Sequence, residues 1–379
     1  MIIFTLLLSS IIIFRCIILQ KCNIAWKIAA SVFAILIAGK FYLLRVFGGS
    51  SSLFNPELPA WILLPFAWLF AWLMFFCVWL IIYDLASLTT KLFCRWKKRR
   101  LPQFCQKPLW RVYGLIPAAI LVSIGIYEGT KLPVVTERTI IVKNLPEKFD
   151  GLRIVHLTDI HADPLNGEEK IRQIVDMTNA QNADLIVITG DFVDGRASVR
   201  GKDLAVLQEL YAPFGVYGVP GNHEYYSGYR EWITLLETYG VDILENQHVM
   251  PGENFALGGV TDPAASRMKG QGEFELPNVQ KAFAGVPDGS FRLLLAHQPK
   301  VAVDAAENNV DLQLSGHTHG GMIWGMDLLV AAFNNGWYSG EYEVGNTKLY
   351  ISNGTGIWGG FPIRLGHRSE IVVITLKRQ

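Results

Sequence analysis

Cysteine is scarce and confined to one end. All five lie between Cys16 and Cys105, so a disulfide scaffold and a thiolate metal site are both excluded for the rest of the chain. Histidine is missing from the opposite end, since all eight fall between His156 and His367. Charge of either sign is thin. Charged residues make up 18% of the sequence and the formal net charge is +1, which gives no electrostatic case for nucleic acid. There is no internal repeat and no low-complexity tract. No small-residue cleavage pattern follows the first apolar run, which argues against a removable signal peptide.

What is abundant is apolar residues, 51% of the 379, and their excess is concentrated in the first third. Residues 2–19 form one apolar run, interrupted by Ser9, Ser10 and Arg15, and residues 28–47 form a second, with Lys40 and Arg45 near its end. Residues 59–83 carry no charge and exceed the ~20 residues a bilayer crossing needs. Their four Trp, at 61, 68, 72 and 79, read as part interfacial anchor and part apolar bulk. A fourth run covers residues 109–127. The expectation is a transmembrane region of about four helices over residues 1–129, with Arg15 and Lys40 snorkelling. Between the last two runs, residues 91–111 hold Lys91, Arg95, Lys97, Lys98, Arg99, Arg100, Lys107 and Arg111. The positive-inside rule places this loop in the cytoplasm and everything after Glu128 on the far side of the membrane.

Residues 130–150 read as a linker merging into an edge strand near 139–142, and residues 151–379 as a globular domain. Short β-branched runs bounded by polar or Gly positions predict strands at 152–157, 185–189, 216–219, 255–260, 293–296, 312–314, 349–351 and 371–376. Helical spacing predicts helices at 168–179, 202–210, 229–239 and 301–307. Strands alternating with helices early, then mostly strands, imply an α/β sandwich with helices outside its sheets.

Five of these strands run into residues that carry chemistry. They are Thr158-Asp159-Ile160-His161, Gly190-Asp191, Gly221-Asn222-His223-Glu224, Ala296-His297-Gln298, and Ser315-Gly316-His317-Thr318-His319-Gly320-Gly321. Asp159 and His161, like His317 and His319, alternate by two, so extended backbone would turn each pair to one side. A donor set of imidazole, carboxylate and amide without thiolate suits Mn, Fe or Zn. Asp191 reads as the carboxylate shared by two ions, and such a pair clamps a phosphoryl group and generates hydroxide for in-line attack.

These five stretches, in this order, resemble the calcineurin-like metallophosphoesterase superfamily, whose pattern is D-x-H, G-D, G-N-H-[DE], H and G-H-x-H. Residues 356–371, with Arg364 and Glu370, resemble its closing segment. Apolar spans ahead of such a domain are similar to the bacterial membrane-anchored branch and to transmembrane proteins with a metallophosphoesterase domain. The resemblance implies a four-layer α/β/β/α sandwich. It also implies that Asp159, His161 and His319 hold one divalent ion and Asn222, His297 and His317 another, with Asp191 bridging. His223 is then the catalytic group, as general acid or transition-state stabiliser, and Glu224 either orients it or simply starts a helix. Asp194, three residues after Asp191, is read as a loop or supporting residue.

The function so implied is a membrane-anchored phosphoesterase of the phosphodiesterase or pyrophosphatase type, acting on a lipid-linked substrate at the extracytoplasmic face of a bacterial inner membrane. The alternatives are a hydrolase like the UDP-2,3-diacylglucosamine pyrophosphatase of lipid A synthesis, whose cytoplasmic substrate conflicts with this topology, and a non-catalytic metal-binding scaffold. His156, His248 and His367 are read as structural, and Arg364 as a phosphate contact or an ion pair with Glu370. Residues 322–333, an apolar stretch after the last motif, are expected as a loop packed under the domain, the alternative being that they lie on the membrane and admit a lipid substrate.

Overall fold

The computed structural model describes residues 2–18, 23–47, 57–106, 109–268 and 274–379, so Leu19 and Lys107 lie outside the described residues. The chain divides into two compact units, Met1–Tyr127 and Glu128–Gln379.

In the first unit, two helices are long and apolar enough to cross a membrane, Ala60–Trp96 and Trp110–Thr130. Against the expectation of about four spans, the described residues offer two such helices, or up to three spans if a bent pair counts as one, by length and composition. The second apolar run is broken at Gly39 into Ile24–Ala38 and Lys40–Phe47, bent by 73°, so that pair counts as one span at most. The first run is a shorter apolar helix, Thr5–Ile18. The uncharged run at 59–83 continues as helix for a further three turns, because residues 84–96 contain no Gly or Pro to stop it. Three of its Trp act as ties between helices. The indole N–H groups of Trp68, Trp72 and Trp79 donate to Ser123 Oγ, the Leu115 carbonyl and the Arg111 carbonyl, at 3.0, 2.9 and 3.0 Å. Arg15 and Lys40 do not simply reach for water. Arg15 pairs with Asp84, and Lys40 is buried with its ammonium 4.7 and 4.8 Å from the ring centres of Phe41 and Phe70.

The second unit is built on two six-stranded sheets. The first contains β1 (Val134–Val142), β2 (Arg153–Leu157), β3 (Leu185–Thr189), β4 (Val216–Val219) and β5 (Asp242–Ile243). The second contains β6 (Gln247–Gly252), β7 (Phe255–Gly259), β8 (Phe291–Leu295), β9 (Leu312–Ser315), β10 (Gly340–Val344) and β11 (Thr347–Ile351), while β12 (Glu370–Arg378) returns to the first. The strand orders are β1-β12-β2-β3-β4-β5 and β10-β11-β9-β8-β7-β6. Strands β2 to β5 are parallel, as are β7, β8, β9 and β11.

Side-chain alternation along β3 shows the layering. Leu185 and Val187 belong to the core between the sheets, with Leu293, Leu312 and Leu314 of the second sheet. Ile186 and Ile188 point the other way, into a core with Ile171, Ile174 and Val175 of helix Glu168–Asn179 and Trp232 of helix Tyr229–Thr238. The outer face of the second sheet is covered by Ala282, Phe283, Val301 and Ala305. Two sheets face to face with helices on both outer faces make the four-layer α/β/β/α sandwich. Strands β5, β6 and β10 escape the sequence pattern because they are short, Pro-containing or half polar, and sit at or beside sheet edges.

Candidate metal centre

Every chemistry-bearing stretch lies just past the carboxyl end of a parallel strand, where α/β sheets gather ligands. Asp159 follows β2, Asp191 follows β3, Asn222 follows β4, His297 follows β8, and His317 and His319 follow β9. The backbone that carries them is not extended. Asp159, His161, Asp191, His317 and His319 have φ of 53°, 50°, 53°, 71° and 49°, in the left-handed region that costs a side-chain-bearing residue about 1–2 kcal/mol. The expected extended alternation is therefore corrected. Asp159 and His161 share a pocket because left-handed residues curl the chain over the strand end.

Close approach of the loops requires glycine at two points. A Cβ on Gly316 would sit 2.1 Å from Thr158 Oγ1 and 2.3 Å from Asp159 Oδ2, and one on Gly221 would sit 2.2 Å from Asp191 Oδ1.

The donors converge in two groups. Asp159, His161 and His319 offer atoms that all lie within 4.8 Å of one another, and so do Asp191, His297 and His317. In the first group His161 Nε2 is 3.1 Å from His319 Nε2, and Asp159 Oδ1 is 3.8 and 3.4 Å from these nitrogens. In the second, His297 Nε2 is 3.1 Å from Asp191 Oδ2 and 3.2 Å from both His317 Nδ1 and Asn222 Oδ1. Asp191 Oδ2 also lies 3.8 Å from His161 Nε2, which puts this carboxylate between the groups.

Hydrogen bonds set which nitrogens are free. His297 Nδ1 is 2.7 Å from the Thr189 carbonyl oxygen, which only accepts, so Nδ1 carries the proton and Nε2 presents a lone pair. Asp194 Oδ2, 3.1 Å from His161 Nδ1, favours the same tautomer there. Electron-rich nitrogens and carboxylates facing one another at 3–4 Å, on a strained backbone, fit divalent cations.

The residues around the donors hold them in place. Asp194 bonds His223 Nδ1 through its other oxygen, so it joins His161 and His223 in a third close group. Its carboxyl is held below the usual range, because the two imidazoles outweigh the effect of burial. His223 Nε2 faces the centre, 3.9 Å from Asp191 Oδ2.

Glu224 does not orient His223. Fully buried, it accepts from the backbone N–H of Phe192, Asp191 and Gly221 at 2.8, 3.1 and 2.6 Å, clamping the second motif to the third. Arg364 is also buried, and among the described ion pairs it has none with Glu370. It donates to the carbonyls of Asn353, Gly356 and His319 at 2.7, 2.9 and 3.2 Å, while Glu370 accepts from Asn353 N. Sequence reasoning missed Asn166, whose amide donates to the carbonyls of His161 and Ile357 at 3.1 and 2.8 Å. A lone Asn in a loop carries no pattern that would reveal it.

His156 lies in β2 with Nε2 2.8 Å from Thr189 Oγ1, outside both donor groups. His248 bonds the Ala282 carbonyl, and His367 packs its ring against Tyr338. Residues 322–333 depart from expectation. Instead of a packed loop they include a helix, Met326–Phe333, with no buried side chain.

Fold and site together define an α/β/β/α domain with groups of Asp and His at the strand ends that could hold metal. The family description "Calcineurin-like phosphoesterase" matches residues 152–321. A "Transmembrane protein with metallophosphoesterase domain" of Danio rerio is 34% identical over 372 residues, covering 95% of this chain and 81% of that protein. An uncharacterised metallophosphoesterase of Bacillus subtilis is 30% identical over 254 residues, covering 64% of this chain and 85% of that protein. A solved structure of a calcineurin-like phosphoesterase from Bacillus subtilis aligns at 19% identity with a TM-score of 0.34, over 55% of this chain and 82% of that one. The chain belongs to the calcineurin-like metallophosphoesterase family and is a metal-dependent phosphoester hydrolase.

Proposed function

We propose that this chain is a membrane-anchored phosphoesterase working with two divalent ions on a phosphodiester or pyrophosphate bond, in a substrate linked to lipid. The observation that carries the reading is the position of Asp191, between two groups of donors that each contain two imidazoles. Asp159, His161 and His319 would hold one ion, Asn222, His297 and His317 the other, and Asp191 both. An amide and carboxylates beside imidazoles, with no thiolate, favour Mn, Fe or Zn.

Bound there, the ions supply positive charge to the phosphoryl oxygens and an activated water. The protein's own part falls to His223. With Nδ1 fixed by Asp194, its Nε2 faces the pocket and donates a proton to the leaving oxygen. Asp194 keeps the ring oriented and favours its protonated form.

Two helices capable of crossing a membrane precede the domain, and the second runs to Thr130, close before β1. The basic loop between them supports a cytoplasmic loop and a domain outside. Confinement to a surface favours a substrate that lives there, and this is the ground for a lipid-linked ester.

The test is elemental analysis of the purified full-length chain, followed by hydrolysis of bis-p-nitrophenyl phosphate and p-nitrophenyl phosphate with added Mn, Fe, Zn or Mg. Two ions per chain and metal-dependent turnover that His223→Ala abolishes are expected. No bound metal would overturn the reading. Intact function in cells after Asp191→Ala would favour a scaffold instead.

A further inference from the structure

An apolar segment next to the metal centre stays in the open. Residues 322–333 read Met-Ile-Trp-Gly-Met-Asp-Leu-Leu-Val-Ala-Ala-Phe. Trp324, Leu328, Phe333 and Leu329 are 76%, 73%, 68% and 55% exposed. The one charge, Asp327, caps its own helix, accepting from the N–H groups of Gly325 and Leu328 at 2.9 and 2.8 Å. Trp324 and three large side chains of helix Met326–Phe333, exposed to water in a stretch without a basic residue, make a poor protein surface and a good interfacial one.

Two connections say what covers it. The first is to the metal centre. The excursion leaves directly after His319 and returns where the Thr318 hydroxyl donates to the Tyr338 carbonyl at 2.6 Å. Both ends of the excursion therefore lie beside the donor residues His317 and His319.

The second is to the point where the chain arrives from its last apolar helix. Leu365 N donates to the Met322 carbonyl at 2.8 Å and Trp324 N to the Leu365 carbonyl at 2.9 Å, pinning the excursion to segment 361–368. The same segment receives the incoming chain. Arg368 pairs with Glu128 at 3.8 Å, and a Cβ on Gly129 would lie 2.7 Å from the Pro362 carbonyl oxygen. Only Lys131, Leu132 and Pro133 separate the end of that helix from β1. Within this unit, segment 361–368 thus holds both the strip bearing Trp324 and residues Glu128 and Gly129, the last turn of the membrane-capable helix.

We propose that residues 322–333 are a bilayer-insertion element, with Trp324, Leu328, Leu329 and Phe333 seated at the boundary of headgroups and acyl chains. The metal pocket then opens onto the phosphoester headgroups of the lipids it rests on. The proposal rests on the membrane-anchored reading above, and it extends that reading from the anchor to the catalytic domain itself. Because the helix carries no cation, its insertion needs no anionic lipid and is not weakened by salt.

The test uses the full-length chain in phosphatidylcholine nanodiscs, with the photoreactive p-benzoylphenylalanine placed at Leu328 or, as a control, at exposed Tyr211. A lipid-mass adduct at position 328 and none at 211 is expected, equally at low and high salt. No adduct at 328, adducts at both positions, or a crosslink between two chains in place of lipid would overturn the proposal. The readout needs no turnover, so it stands apart from the fate of the hydrolase reading. As a kinetic companion, Leu328→Glu with Leu329→Glu is expected to lower hydrolysis of a bilayer-borne phosphodiester by about tenfold or more. Turnover of bis-p-nitrophenyl phosphate should stay unchanged, and an equal loss on both substrates would count against the proposal.

Discussion

His223 stands between two carboxylates, and its protonation follows from that. Burial disfavours the imidazolium, but Asp191, Asp194 and the bond to Asp194 outweigh it and raise the group to about 9. A proton donor works only while protonated, so turnover of an ester with a poor leaving group is expected to hold at neutral pH and fall as pH rises through about 9. Asp194→Asn removes one of the two negative charges, lowers that pKa and should shift the alkaline limb of the kcat profile to lower pH. An unmoved limb would remove Asp194 as its cause. Glu224 makes a different prediction. Glu224→Ala strands three buried N–H donors, each costing about 1–3 kcal/mol, so a loss of about 3 kcal/mol or more is expected in denaturant melts. Metal content should fall with it, because the clamp joins the Asp191 and Asn222 loops. Neither role could be read from spacing alone. A carboxylate two positions after Asn222 marks the motif equally well whether it faces His223 or the backbone, and only the packed loops show that it faces the backbone.

At the scale of elements, the strands carry the legible part of the fold. The run at 185–189 is β3 residue for residue, and helix 168–179 is found with the same bounds. The strand is buried on both faces and the helix on one, so apolar residues fill every strand position but Thr189 and recur at helical spacing in the helix. Leu185 faces the opposite sheet and Ile186 the helices, so Leu185→Ala and Ile186→Ala should each destabilise the domain by about 2–5 kcal/mol in urea titrations. A neutral result at either position would mean that β3 is covered on one side only. The turns after the strands were not legible in the same way. Left-handed backbone at five donor-bearing residues has no signature in residue type when the residues are Asp and His rather than Gly. The strain is tolerated because buried hydrogen bonds such as those to Asp159 from His317 N, at 3.0 and 3.2 Å, fix each loop against the next.

For the whole molecule, clustered carboxylates and imidazoles would tie stability to any ions they hold. Chelation is expected to lower the unfolding free energy of the full-length chain by about 4 kcal/mol per ion lost, relative to protein kept at a thousand-fold excess of ion over Kd. Calorimetry in detergent with and without EDTA checks this, and an unchanged transition would mean that the donor groups are already content without metal. The apolar helices enter at the same scale. Four apolar runs became two long helices, one bent pair and a shorter helix, because run length reports composition while Gly39 and the bend decide how the chain traverses.

The sequence by itself determined the family and the layered α/β architecture, and it singled out seven candidate donors and His223. These depend on short local motifs and on strand patterns that any fold of this class must keep. Only the tertiary structure decided which nitrogens face inward, what Asp194, Glu224 and Arg364 hold, and that residues 322–333 lie open beside the centre. Each of those is settled by a partner between 3 and 108 positions away in the chain or, for residues 322–333, by the absence of burial among the described residues. Sequence spacing constrains such contacts weakly, because the energy that selects them arises only once the sheets have closed on each other.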